Sequence, residues 1–231
     1  MPEESQKEYL EYLASEIALF EGRAASLADP SLEEIRKLSP KRILDLGCGA
    51  GQELMKFNDD SIELKVGADI QFAAGEVFRK LRSNAGDDRA IFINSAGEHL
   101  PFAAASFDLV ICRVALPYMN SATAILEIAR VLAPSGLLLL TIHTPKFYLL
   151  MMRRRLAEMS LKGFAYPVIC FAGGVFFLLT GKQPAGNFWK GKETFHTRSM
   201  LTRELNAAGL RAISEFDAEG AGGRTYLIGK A

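Results

Sequence analysis

The run Asp45-Leu46-Gly47-Cys48-Gly49-Ala50-Gly51 sets three glycines at alternating positions behind an acidic residue. Glycine adopts left-handed backbone readily and carries no Cβ, so such a loop turns tightly and lets a ligand reach the main chain. A second carboxylate, Asp69, follows 18 residues after Gly51, at the end of the next expected strand. A carboxylate placed there can accept both hydroxyls of a ribose. Gln52 stands where a G-x-G-x-x-G dinucleotide fingerprint needs its last glycine, and no Gly-Lys-Ser/Thr follows to make a phosphate loop. The pattern suits an adenosyl ligand that lacks a pyrophosphate. Asp45 is expected to order the loop and to meet a cationic amino-acid end of that ligand.

These residues need strands that end on one edge. Ile43-Leu44-Asp45-Leu46 is a short apolar run and reads as a buried strand. Further strands are expected over 64–70, 90–94, 107–112 and 137–143, with helices over 53–57, 73–82 and 123–132 between them. Alternation at this pace gives βαβ units and a parallel sheet. After a helix over 198–208, closed by Gly209, come strands over 211–216 and 225–229 joined by a glycine-rich turn. The expected fold is α/β: a Rossmann-like, doubly wound sheet of about seven strands, mostly parallel, with an antiparallel C-terminal hairpin strand. An amphipathic helix over 5–20 carries Tyr9 and Tyr12, and Ser31 is expected to cap a second short helix with Glu34 as its capping-box partner. The chain then divides into N-terminal helices (1–39) capping the site, a ligand-binding core (40–144), an insertion (145–196) and a closing helix and hairpin (197–231).

The segments ILDLGCGAG (43–51), VGADI (66–70), EHLPF…SFDLVICR (98–113) and AILEIARVLAPSGLLLLTI (124–142) resemble class I S-adenosylmethionine-dependent methyltransferases. The small-molecule branch that includes the ubiquinone/menaquinone-biosynthesis enzymes is the most similar. The resemblance covers about residues 40–144, with a weaker echo at 200–210. It implies S-adenosylmethionine as cofactor and methyl transfer to a small acceptor. Gly47, Cys48 and Gly49 would cradle the methionine portion, with Asp45 close by. Asp69 would hold the ribose, Ile70 would pack on the adenine, Gly97 would sit at the adenine edge, and Arg113 would line the methionine end. One departure is Ala96, where the family usually places an Asp for the adenine amino group; Asn94 or Ser95 could substitute. Ala96 is also what leaves open a non-catalytic, cofactor-binding or regulatory module of the same fold.

A general base is needed only where the acceptor must lose a proton. His143, ending strand five, and Tyr118, after strand four, are the catalytic candidates. Each has a structural alternative: a histidine bonded within its loop, and an aromatic packed under the insertion. His196 is expected to cap near Arg198, and His99 to be a solvated loop residue. Only three cysteines, Cys48, Cys112 and Cys170, occur at wide spacing, so neither a disulfide framework nor a zinc site is expected. With no basic–apolar leader at Met1, the cytoplasm is the expected compartment.

The chain has 231 residues, 27 basic and 27 acidic, with a mean hydropathy of +0.09. Zero net charge argues against a nucleic-acid partner. Between Pro145 and His196, however, eight basic residues face only Glu158 and Glu193. Residues 163–181 carry no charge at all, and Pro167 and Gly173-Gly174 would break or bend a helix there. Two readings are open for this insertion: a lid whose basic face is solvated, or a peripheral membrane contact. Either way Phe164, Tyr166, Phe171, Phe176, Phe177 and Trp189 would roof the acceptor pocket, favouring an apolar acceptor.

Overall fold

A computed structural model describes residues 30–159, 161–217 and 222–231. The helix expected over 5–20 lies outside them. Seven strands form one sheet: β1 (Arg42–Leu46), β2 (Leu64–Asp69), β3 (Ala90–Asn94), β4 (Phe107–Arg113), β5 (Leu132–His143), β6 (Leu210–Asp217) and β7 (Gly223–Lys230). Their order is β3-β2-β1-β4-β5-β7-β6. The first five pair in parallel, and β7 runs antiparallel to both β5 and β6. The chain winds outward from β1 to β3, then crosses back to β4. That reversal opens a crevice above the C-terminal ends of β1 and β4, where open α/β sheets bind their ligands.

Both faces of the sheet are covered, so its central strands are mostly apolar. Ile43 and Leu44 point to opposite sides, and both are fully buried. On one side Leu44, Val66, Val110 and Leu140 meet α3 (Ser121–Val131) and α6 (Arg198–Ala207) through Ile125, Ile128, Leu201 and Leu205. On the other, Ile43, Leu109, Ile111 and Leu139 meet α1 (Pro30–Arg36) and α2 (Ala74–Ala85) through Ile35 and Phe78. Each such Leu or Ile contributes about 1.5–3 kcal/mol by leaving water. Side chains fix the starts of α3 and α6: Asn120 Oδ1 accepts from Thr123 N at 3.2 Å, and Thr197 Oγ1 from Met200 N at 3.3 Å.

Three local expectations change. Ser31 lies inside α1 rather than capping it, because the helix already includes Pro30, a residue suited to a first turn. The segment over 53–57 makes only a 3₁₀ turn, Leu54–Lys56. The cause is Lys65, fully buried on β2, whose ammonium takes the Phe57 carbonyl at 2.8 Å and the Leu54 carbonyl at 3.5 Å and pairs with Asp87. Those carbonyls turn inward instead of continuing a helix.

The insertion is the third. It folds as a helical hairpin, α4 (Pro145–Ala157) and α5 (Leu161–Thr180), followed by a 3₁₀ turn at Asn187–Trp189. The helix runs unbroken through Pro167 and both glycines. A Cβ on Gly174 would lie 2.2 Å from the Phe195 ring, and one on Gly173 2.7 Å from Trp189, so the pair lets the returning chain press against α5. Tyr148, Cys170, Phe177, Phe195 and Met200 form a small core of their own beneath the hairpin.

Candidate active site

The glycine loop sits at the end of β1. Gly47 N and Cys48 N both donate to Ala68 O, at 2.8 and 3.2 Å, tying the loop to the end of β2. Gly47 and Gly51 have φ of +72° and +85°. Added Cβ atoms would stand 2.2 Å from Ala115 Cβ and 2.4 Å from the Phe78 ring, so both positions exclude a side chain twice over. Asp69 completes the loop: one carboxylate oxygen accepts from Gly49 N at 3.0 Å and the other from Gln71 N at 2.8 Å. Burial pushes its pKa up, and these two N–H groups pull it back.

The loop-ordering part of the role expected of Asp45 falls to other groups. The backbone of Ala68 and the carboxylate of Asp69 order the loop, while Asp45 Oδ2 is buried without a hydrogen-bond partner. Burial above all, and the charge of Glu53 next, raise the Asp45 pKa well above the ordinary carboxylate range; Arg113 opposes them. Arg113 is held by Glu53, with Nε 3.1 Å from Oε2, and by Ser31, whose hydroxyl accepts from Nη2 at 3.2 Å. Gln52 Oε1 beside this cluster is also buried without a partner. A buried, unsatisfied carboxylate oxygen beside a glycine loop fits a cationic amino group. Glu53 and Gln52 were invisible as site residues in the sequence, where they look like ordinary members of a helix start.

Just after Asp69, Ile70 and Phe72 are 68% and 67% exposed, apolar side chains left facing solvent. Gly97 is buried against Met119, whose sulfur would lie 2.6 Å from an added Cβ. Ala96 offers only backbone: its carbonyl accepts from Ser95 Oγ at 3.1 Å and His99 N at 3.2 Å. Ser95 Oγ also donates to His99 O at 2.9 Å, whereas Asn94 Nδ2 donates to Asp69 O at 2.8 Å. Asn94 therefore keeps its amide oxygen for another donor.

At the end of β5, His143 Nδ1 lies 2.8 Å from Glu193 Oε2. Tyr166 donates to the other oxygen of Glu193 at 3.4 Å. Tyr118 stands close enough to Tyr166 to help raise its pKa, after burial, so both catalytic candidates enter one cluster. His143 also stacks on Phe147, with ring centroids 3.6 Å apart, and Nε2 makes no hydrogen bond among the described residues. Tyr148, fully buried, has its hydroxyl without a partner; burial first and the Glu193 charge second hold its proton on firmly.

His196 does not cap α6, since Thr197 does. It is fully buried, 3.6 Å from Glu204, and its backbone N donates to His143 O at 3.2 Å. His99 is exposed, as expected. Of the expected roof, Phe171 and Phe177 pack inward, while Phe176 is turned to the outside. Neighbouring residues on a helix cannot share a face.

Residues 44–140 match the family described as the methyltransferase domain. An uncharacterized methyltransferase of Bacillus subtilis (strain 168) is 33% identical over 103 residues, which is 44% of this chain and 40% of that protein. A malonyl-[acyl-carrier protein] O-methyltransferase of Methylovorus sp. (strain MP688) is 32% identical over 119 residues, 48% of this chain and 40% of that one. The chain thus spans about two fifths of the length of the curated relatives it matches. That matched stretch, about two fifths of the chain, is similar to S-adenosylmethionine-dependent methyltransferase domains of class I. A solved S-adenosylmethionine-dependent methyltransferase from Aquifex aeolicus shares this methyltransferase fold, with a TM-score of 0.56 at 14% identity over 87% of this chain and 93% of its own. S-adenosylmethionine is the cofactor of such a domain, and the glycine loop, Asp69 and Asp45, with its orphaned acceptor, are the residues here that fit it.

Proposed function

We propose that the protein methylates a hydroxyl of a small, hydrophobic acceptor bound between the end of β5 and the inner face of the insertion. Bound S-adenosylmethionine supplies an electrophilic methyl group on a sulfonium. Gly47, Cys48 and Gly49 position its methionine portion, with Asp45 on the ammonium and Arg113 lining that end. Asp69 takes the ribose hydroxyls, Ile70 and Phe72 the adenine face, and the loop at Ala96 and Gly97 its edge. Asn94, with its amide oxygen to spare, takes the amino group that Ala96 cannot.

The observation that carries the acceptor reading is the His143–Glu193 pair. A carboxylate on Nδ1 fixes the imidazole tautomer and leaves Nε2 as a base, the arrangement that makes histidine useful in proton transfer. Nε2 would take up the proton that the acceptor hydroxyl gives up on receiving the methyl group the cofactor would supply. Tyr118 and Tyr166, linked to Glu193, orient the acceptor. The aromatic lining favours an apolar molecule and excludes water. Three buried free thiols, Cys48, Cys112 and Cys170, suit the reducing cytoplasm we assign to it.

Calorimetry with S-adenosylmethionine tests the first half of this reading. Asp69→Ala should weaken binding at least tenfold, about 1.4 kcal/mol. Glu193→Gln tests the second: binding stays unchanged while kcat on an acceptor falls by about 10²-fold and the acid pH–rate limb shifts. A chain that ignores the cofactor is not this enzyme. One that binds it while Glu193→Gln leaves the pH profile untouched does not use the pair as a base.

A further inference from the structure

We propose that the outer surface of the α4–α5 hairpin docks the protein on an anionic membrane surface. The surface helix of a soluble domain turns polar residues to water. Here Ala165, Val168, Ala172, Phe176 and Leu179 form the exposed stripe of α5, at helical spacing over four turns, and every one is apolar. The inner stripe, Pro167, Cys170, Gly174 and Phe177, is apolar as well. Gly163–Thr180 is long and apolar enough to cross a bilayer by composition, and only 28% of it is buried, unlike the core helix of a soluble protein.

The neighbouring surface adds to this face. Along α4 the exposed stripe is Lys146, Leu149, Arg153 and Leu156, basic and apolar in alternation. Met159, at the tip between the helices, is 89% exposed, and Phe188 beyond α5 is 59% exposed. Lys182 and Lys190, in the chain that follows α5, are exposed as well.

Charge complementarity selects the occupant. Of the two acids in the insertion, Glu193 is buried on His143 and Glu158 is engaged by Arg154 and Arg155. What remains outward is positive charge around an apolar stripe, the pattern that suits acidic headgroups over an acyl interior. A second copy of this chain would present the same positive rim to itself, which opposes self-association. Pro167 and the packing of Phe195 and Trp189 on the Gly173-Gly174 side keep α5 lying along the domain rather than released across a bilayer.

Trp189, the single tryptophan, reports directly on this element. The full chain should co-sediment with phosphatidylglycerol–phosphatidylcholine vesicles at low salt, with a blue shift of Trp189 emission. Binding should weaken on phosphatidylcholine alone and at high salt. Phe176→Glu with Leu179→Glu, both at exposed positions, should lower vesicle partitioning at least tenfold. Arg153→Glu with Lys190→Glu should lower it several-fold and remove the salt dependence. In both double variants S-adenosylmethionine binding, measured on the same samples, stays at the wild-type value, which separates this proposal from the methyltransferase reading. Wild-type protein that ignores acidic vesicles at low salt would overturn it, as would variants that partition like wild type. A wild-type dimer that Phe176→Glu with Leu179→Glu dissociates would overturn it too, making the face a self-interface.

Discussion

Asp45 holds one carboxylate oxygen out of water with nothing bonded to it, and Glu53 stands close enough to raise its pKa further. A buried acid with a raised pKa keeps its proton to higher pH in the ligand-free protein. An ammonium group laid against it favours the charged form instead, so cofactor binding drives that proton off. Affinity for S-adenosylmethionine is therefore expected to fall on acidification below the raised Asp45 pKa, with proton release on that limb. Calorimetry in buffers of different ionisation enthalpy measures both. Asp45→Asn should bind about tenfold more weakly at neutral pH and show no acid limb. An affinity for wild type that does not move with pH would break the link between Asp45 and the ammonium. A companion case is Glu127, held at about 2 chiefly by the Arg130 side chain, whose carboxylate also accepts from Leu100 N at 2.8 Å. Its depressed pKa means that the clamp on the 98–102 loop is complete above the ordinary carboxylate range and is lost as pH falls toward 2. Glu127→Gln should lower the thermal midpoint at neutral pH and narrow its gap to wild type in acid.

Within the insertion, Gly174 shows what an apolar helix gives up for close approach. A Cβ there meets the Phe195 ring at 2.2 Å, in a core too small to absorb it. Gly174→Val should cost about 1–3 kcal/mol, visible as a lower thermal midpoint and a red-shifted Trp189 emission, with cofactor affinity kept. A variant as stable as wild type would mean that the hairpin can give way freely. The same segment marks the limit of what the sequence discloses. Strands such as 43–46 and 107–112 were legible because both faces are buried and every position but Asp45 and Asp108 is apolar. The glycine loop was legible because its parts are contiguous. Pro167 and the glycine pair looked like helix breakers because their packing partners, Trp189 and Phe195, lie far along the chain. The 3₁₀ turn after the loop depends on the Lys65 ammonium, a long-range event with no local signal. Glu193 escaped notice for the same reason, standing 50 residues beyond the histidine it orients. The bonding of Asp45 could not be read from spacing.

Across the whole molecule, zero net charge conceals a division: the insertion carries about six excess positive charges, and the rest carries as many negative ones. The division is also mechanical. The insertion leaves β5 at His143 and returns at His196, and these residues meet through a backbone hydrogen bond of 3.2 Å. Its aromatic core is distinct from the two that sandwich the sheet, and Met200 is the member it draws from α6. Among the described residues, the glycine loop, Asp45 and Asp69 take no hydrogen bond or ion pair from residues 145–195. Joining Thr144 to His196 through a Gly-Ser linker of about four residues should therefore leave a cooperatively folded core. That core should bind S-adenosylmethionine within about threefold of the full chain, under ~0.7 kcal/mol. It should lose both acceptor turnover, because Glu193 and Tyr166 are gone, and partitioning onto acidic vesicles. Calorimetry, thermal unfolding and vesicle sedimentation on the excised protein read the three properties separately. A core that unfolds or loses the cofactor would show the insertion to be part of one cooperative domain, and the charge division would then reflect surface composition rather than two working parts.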